Sequence, residues 1–256
     1  MHNSIENQVA LITGAGSGIG AETARMMGRD GMRVCLAGIP AQGVNEVAAQ
    51  IAEAGGQSLA VSTDVAEAAS VKAAVSRTVE EFGQLDVAVA NAGVQLHQDD
   101  RCLHTMSDEA WDRTNNVNYR GVYLTCKMAL AQMVEQETGG CIIIVASIAA
   151  LSGVAENPAY TASKHGLIGL GRHIAVHYAK HNIRCNVICP GALEHTPNHE
   201  DHPDPEGRRN ARIDRIPMQR LGTPAEIASW ILFLSSPAAS YANGAIIPVD
   251  GGFSAM

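Results

Sequence analysis

The stretch VALITGAGSGIGA, Val9 to Ala21, decides the fold. Its first part, Val9 to Ile12, is an unbroken apolar run of strand length. Thr13-Gly14-Ala15-Gly16-Ser17-Gly18-Ile19-Gly20 follows and leads directly into a helix-like stretch, Ala21 to Asp30. A strand-to-helix turn needs one or two glycines; Gly14, Gly16, Gly18 and Gly20 together point to a further purpose. Glycines let backbone N–H groups come close to an anion, and a helix N-terminus adds partial positive charge. A pyrophosphate can therefore be cradled without a basic side chain. The strict GxGxxG spacing is not met from Gly14, because Ile19 takes the last position, whereas Gly16, Gly18 and Ala21 fit the looser GxGxxA form.

Working outward, apolar runs of strand length recur between helix-like stretches. They are Val9 to Ile12, Val34 to Ala37, Leu59 to Val61, Val87 to Ala90, Cys141 to Ala146, Ile183 to Ile188 and Ile246 to Val249. Continuous hydrophobic strands alternating with helices predict an α/β doubly wound parallel sheet of about seven strands with helices on both faces. Helical character is read over Ala21 to Asp30, Val44 to Glu53, Ala69 to Phe82, Asp108 to Glu135, Ala159 to His181 and Pro224 to Leu234, with Ser107 and Thr223 as N-caps. No linker or repeat divides the chain, so residues 1–256 are expected to form one domain. His195 to Arg215, with three prolines and three histidines and no clear period, reads as a long loop or lid.

Composition narrows the partners. Eighteen Lys plus Arg against 26 Asp plus Glu give a net charge of −8. No basic run offsets it, so a nucleic-acid partner is not expected. No apolar stretch reaches membrane-spanning length and Met1 to Gln8 lacks a secretion pattern, so the expectation is a cytoplasmic protein without a membrane anchor. The six cysteines (35, 102, 126, 141, 185, 189) are scattered without a CxxC pair and read as reduced, buried thiols.

The ordered motifs carry a resemblance. Thr13-Gly14-x-x-x-Gly18-Ile19-Gly20 resembles the TGxxxGIG fingerprint of the short-chain dehydrogenase/reductase family. Asp64-Val65, Asn91-Ala92-Gly93, Asn118, Ser147, Tyr160-x-x-x-Lys164, Pro190-Gly191 and Val249-Asp250-Gly251-Gly252 match further family motifs in order. The resemblance runs the length of the chain. It implies a Rossmann-type fold, an NAD(P)-dependent interconversion of secondary alcohol and ketone, and a homotetramer packed through the helices around Asp108 to Glu135 and Ala159 to His181. It also implies cofactor contacts at Gly14, Ser17, Gly18, Ile19, Gly20, Asp64, Val65, Asn91, Ala92, Gly93, Tyr160, Lys164, Pro190, Gly191 and Leu193. The catalytic set it implies is Asn118, Ser147, Tyr160 and Lys164, with Ser147 orienting the substrate oxygen and Asn118 holding a water in a relay with Lys164. A catalytically silent dinucleotide-binding protein of the same fold is the alternative.

The chemistry of that set can be argued independently. Tyr160 and Lys164 are four residues apart on a predicted helix and so share one face. A phenol with a pKa of about 10 is a poor base at neutral pH, and lowering it by about three units takes roughly 4 kcal/mol. A unit charge about 4 Å away at an effective dielectric of about 20 supplies that much. Lys164, helped by an oxidised nicotinamide, is thus expected to make Tyr160 a general acid/base. The rival serine-nucleophile chemistry fits poorly, because Val145-Ala146-Ser147-Ile148-Ala149 lacks the flanking glycines of a nucleophile elbow. His173, His177 and His181 are spaced along one helix face but read as a solvated or subunit-facing edge. His195, His199 and His202 with Glu200 and Asp201 are the better-placed metal candidates, and no metal is expected at either.

Two positions depart from the family pattern. Where an acid normally binds the ribose of NAD, or a nearby base the phosphate of NADP, the chain has Gly38 and Ile39. With no cation there, an added phosphate would be desolvated without a partner, so NAD(H) is favoured and NADP(H) remains possible. Five residues after Pro190 the family threonine is replaced by His195, with Thr196 one place late. The substrate pocket is expected from Gln95 to Met106, Leu151 to Ala159 and the lid. Gln95, His97, Glu156 and the lid histidines suggest a small hydroxylated substrate.

Overall fold

The computed structural model describes residues 5–154, 156–194 and 205–256. Seven strands form one parallel sheet: β1 (Val9–Thr13), β2 (Arg33–Gly38), β3 (Gln57–Ser62), β4 (Val87–Ala90), β5 (Gly140–Val145), β6 (Ile183–Pro190) and β7 (Ile246–Val249). Their order is β3-β2-β1-β4-β5-β6-β7. The chain therefore winds one way from β1 and the other way from β4. That reversal opens a crevice beyond the carboxyl ends of β1 and β4, where ligands bind in sheets of this kind.

Alternation along the strands sends residues to two cores. Ala10, Ile12, Val34, Leu36, Val89 and Ile143 face α1 (Gly18–Arg29), α2 (Ala41–Glu53) and α8 (Pro224–Ser235), where Met27, Val47, Ile51 and Ile231 meet them. Leu11, Cys35, Ala88, Ile142, Ile144 and Val187 face the other way. They pack on α3 (Ala68–Phe82), α5 (Gly121–Glu135) and α6 (Pro158–His177) through Val75, Met133, Leu167 and Ile174. Strands buried on both faces are why each reads as continuous apolar sequence. Both predicted caps form: Ser107 accepts from the Ala110 amide ahead of α4 (Asp108–Asn115), and Thr223 and Glu226 make a reciprocal capping box on α8.

Three differences from the sequence reading stand out. The helix expected over Asp108 to Glu135 is interrupted by a π-helical turn, Asn116–Arg120, between α4 and α5. The described part of the stretch read as a loop or lid contains a helix, α7, Pro205–Ile213. Five cysteines are buried as expected, but Cys102 is exposed.

Candidate active site

The β1–α1 turn builds one end of a cleft of about 970 Å³. Gly14 and Gly18 adopt φ values of 66° and 52°, in the left-handed region open to glycine. A Cβ on Gly14 would lie 2.8 Å from the Ala92 Cα, so the turn presses on the chain leaving β4. Polar bonds fix that contact. The Asn91 side-chain amide donates to the Thr13 and Gly14 carbonyls (2.9 and 3.3 Å), and the Asn91 and Ala92 amides donate to Thr13 Oγ1 (3.1 and 3.2 Å). Helix α1 begins at Gly18, and the Ser17 side chain makes no capping bond. Gly14, Gly16, Ser17, Gly18 and Ile19 line the cleft. A glycine-lined turn at an uncapped helix N-terminus suits a dinucleotide's pyrophosphate in shape and charge.

Gly20, expected among the contacts, is not in the cleft wall. It is buried behind the turn, where a Cβ would strike the Gly14 carbonyl oxygen and the Asn91 amide, so its role is to let α1 start tight against the turn. Asp64 and Val65 do line the cleft beyond β3. There the Asp64 carboxylate accepts from the Ala66 amide (2.9 Å) and its own amide donates to Ser70 Oγ (3.0 Å). Gly38 and Ile39 form the wall beside them.

The other end gathers Ser147, Tyr160 and Lys164, with Gly93, Pro190, Gly191 and Leu193 in the same wall. Ser147 follows β5, and its hydroxyl accepts from the Ala149 amide at 3.2 Å. Lys164 Nζ lies 5.5 Å from the centre of the Tyr160 ring and donates to the Val145 carbonyl at 3.1 Å. Burial pulls the Lys164 ammonium down to about 8. Burial also pushes the Tyr160 phenol upward, against the lowering effects of a hydrogen bond shared with Ser147 and of the positive charge of Arg212. With the protein's own groups alone, desolvation outweighs these lowering effects, and the expected depression also counts the positive charge of an oxidised nicotinamide.

Asn118 lies in the π-turn, fully buried, and does not reach the cleft wall. Its side chain is engaged in both directions with Val94: Oδ1 accepts from the Val94 amide (2.7 Å) and Nδ2 donates to the Val94 carbonyl (2.8 Å). A π-turn supplies the local widening that lets an interior side chain meet a neighbouring loop. Gly93 is wedged between these groups. A Cβ there would sit 3.3 Å from Asn118 Oδ1 and 3.5 Å from Lys164 Nζ.

Several positions at the site are not singled out by any motif, although Asp100, Arg212 and Arg215 fall within the segments expected to form the pocket. Asp100, fully buried, accepts from the Ala159 and Tyr160 amides at 3.0 and 2.9 Å. It thus caps the helix that carries Tyr160, in place of Asn157, whose side chain makes no capping bond. Arg212 and Arg215 from the lid and Phe253 from the C-terminal turn also line the cleft. Gln95 and Glu156 line it as expected, whereas His97 is buried outside the wall. His195, Thr196, His199, Glu200, Asp201 and His202 lie outside the described residues. His173 and His177 are exposed, with rings 5.5 Å apart. Among the described residues no cluster of three metal-ligating side chains forms.

The chain is similar to known proteins along its length. A family model described as enoyl-(acyl carrier protein) reductase matches residues 14–254. Cis-4-hydroxycyclohexanecarboxylate dehydrogenase of Sinomonas cyclohexanicum is 40% identical over 256 residues, covering 100% of both chains. L-rhamnose 1-dehydrogenase (NAD(P)(+)) of Azotobacter vinelandii is 38% identical over 251 residues, covering 96% of each. The crystal structure of levodione reductase superposes with a TM-score of 0.93 at 33% identity, covering 98% of each chain. The chain is an oxidoreductase acting between CH–OH and C=O groups, and it belongs to the short-chain dehydrogenase/reductase family.

Proposed function

We propose that the protein is an NAD(H)-preferring dehydrogenase of a small secondary alcohol, with Tyr160 as the proton-transferring group. One observation carries this reading: Ser147, Tyr160 and Lys164 converge at one end of a cleft whose other end is the glycine turn. A nicotinamide held there would accept or deliver the hydride and, when oxidised, add positive charge near Tyr160. Tyr160 takes the hydroxyl proton during oxidation and returns it during ketone reduction. Ser147 holds the same substrate oxygen through its hydroxyl, and its bond with Tyr160 keeps the two aimed at one point. Lys164 supplies positive charge behind the phenol, anchored on Val145. Asn118 serves by locking Val94, and so the loop after β4, against the lysine.

The preference for NAD(H) is supported by the cleft wall at the end of β2. Gly38, Ile39 and Pro40 stand there, and the nearest ionisable wall residue in sequence, Asp64, is acidic. A ribose phosphate would find no cation at this place. The names of the relatives span a hydroxycyclohexanecarboxylate, a sugar and levodione, so they agree on the reaction and differ on the substrate. A catalytically silent binding protein gains no support, since Asn118, Ser147, Tyr160 and Lys164 are all present. We further propose a homotetramer in the cytoplasm. Exposed Tyr119 and Tyr123 beside and on α5 support an oligomer. The described residues include no helix long and apolar enough to cross a membrane. Titrating NADH and NADPH by fluorescence tests the cofactor reading, and NADPH binding the tighter would overturn it. Small-angle scattering tests the tetramer.

A further inference from the structure

We propose that Arg212 and Arg215 form an anion-holding subsite at the substrate end of the cleft, and that the molecule oxidised or reduced here carries an oxyanion, a carboxylate, apart from its reacting carbon. The inference rests on the reading above, in which a dinucleotide and a substrate share this cleft.

Position is the first argument. Both arginines line the same cleft as Ser147 and Tyr160. Arg212 lies in the last turn of α7 and Arg215 follows it closely, its amide donating to the Arg212 carbonyl at 3.1 Å, so the two side chains leave the backbone from one tight turn. The Arg215 guanidinium stacks on Phe253 at 5.0 Å. Phe253 in turn is placed by Asp250, whose carboxylate accepts from the Gly252 and Ser254 amides at 2.9 and 2.8 Å. The aromatic face holds the guanidinium flat at the cleft wall and leaves its N–H edge available for a ligand.

Charge is the second argument. The described ionisable groups of the wall are Asp64, Glu156, Tyr160, Lys164, Arg212 and Arg215. Two arginines thus stand in the wall that also carries Tyr160, in a chain whose net charge is −8. Guanidinium groups match carboxylates through paired, near-parallel N–H bonds, which suits an anchor that fixes orientation as well as charge. The dinucleotide's phosphates already have the glycine turn. The charge of Arg212 acts instead on the Tyr160 hydroxyl, where the substrate oxygen must sit. An anion held here would orient the carbinol carbon toward Ser147 and Tyr160.

The test compares wild type, Arg212→Gln, Arg215→Gln, the double variant and the charge-retaining Arg215→Lys. Substrates are secondary hydroxy acids of graded length, their methyl esters and the matching sulfonates, each with NAD+. Wild type should favour the acid over its ester by at least about tenfold in kcat/KM, mostly through KM, and the double variant should lose that preference. Arg215→Lys should retain part of it. A sulfonate preferred over the carboxylate would overturn the carboxylate assignment. Equal use of acid and ester by wild type would overturn the subsite while leaving the dehydrogenase reading intact. NADH binding weakened about tenfold in the arginine variants would overturn it too, by assigning these side chains to the dinucleotide. A second arm needs no turnover: saturated carboxylic acids and their amides, lacking the hydroxyl, are titrated into the NADH complex and followed by nicotinamide fluorescence. Tighter binding of the acid by wild type, lost in the double variant, supports the subsite. Equal binding of acid and amide overturns it whether or not any alcohol is oxidised.

Discussion

Replacing Asp100, which does not itself line the cleft, by Ala should damage catalysis through the backbone of Tyr160. The carboxylate is fully buried and accepts two backbone bonds, from Ala159 at 3.0 Å and Tyr160 at 2.9 Å. Hydrogen bonds to a charged group contribute about 1.5–3 kcal/mol each, and here the lost partners are amides at a buried helix N-terminus. A cost of about 3–5 kcal/mol follows. For a chain of this size each kcal/mol lowers the melting temperature by about 2–4 °C, so a drop of roughly 10 °C is expected. Tyr160 sits in the first turn of α6, and a shift of about 1 Å in a reacting group can cost about a hundredfold in rate; kcat should fall by about ten- to a hundredfold. NADH affinity should stay within about twofold, because the glycine turn is built from β1, α1 and Asn91 and has no bond to Asp100. Asp100→Asn retains one acceptor oxygen and should fall between. Circular-dichroism melts, steady-state kinetics and NADH fluorescence titration read the three quantities separately. An Asp100→Ala protein with unchanged melting temperature and unchanged kcat would refute the assignment of this residue as the cap that positions Tyr160.

Other consequences are as direct. Lys164 has a folded-state pKa of about 8, below its ordinary value of 10.5, so burial of its charge weakens the fold below pH 8 and that penalty is relieved as pH rises toward 10.5. The stability of Lys164→Met relative to wild type should therefore decline between pH 7 and 10, measured by urea denaturation at each pH; a constant or growing difference would contradict the buried cation. Burial keeps Tyr160 protonated at neutral pH, so ketone reduction should hold its rate there while alcohol oxidation climbs as pH rises, a contrast visible in paired pH profiles. Gly38→Asp should improve discrimination for NADH over NADPH by about tenfold or more, since a Cβ at this site meets nothing closer than Val44 at 3.3 Å and the carboxylate would face the ribose. Gly93→Ala brings a methyl to 3.3 Å from Asn118 Oδ1 and 3.5 Å from Lys164 Nζ, and should lower kcat while the melting temperature changes by a few degrees at most.

What the sequence revealed was what local pattern encodes. The run Val87–Ala90 is continuous apolar sequence because both faces of the strand are covered, and its bounds in the structure match the sequence reading. Thr223, Pro224 and Glu226 carry a complete start signal for α8 in four residues. The break at Asn116–Arg120 is not marked by any Pro or Gly within it, and a single π-turn is too short to separate two helices in a run of helix-like sequence. Helix α7 was hidden for a related reason: PEGRRNARI has a single large apolar residue, Ile213, and so no stripe to betray a helical period. The cap from Asp100 joins residues 59 and 60 positions apart, and only the folded chain brings them together. Gly20 is buried behind the turn rather than in the cleft wall, a distinction that a motif does not make between glycines that line a site and those that let its walls approach. The i,i+4 spacing of Tyr160 and Lys164 conveys their proximity but not the depth of burial that opposes ionisation of the phenol.

The most direct test of the account is a paired measurement on wild type and Tyr160→Phe: the appearance of NADH from a panel of secondary alcohols, together with NADH binding by fluorescence. Wild type should oxidise at least one member of the panel. The phenylalanine variant should lose turnover by about a thousandfold or more while binding NADH within about twofold of wild type. Substantial turnover retained without the phenol would contradict the proposed role of Tyr160 as the group that moves the proton.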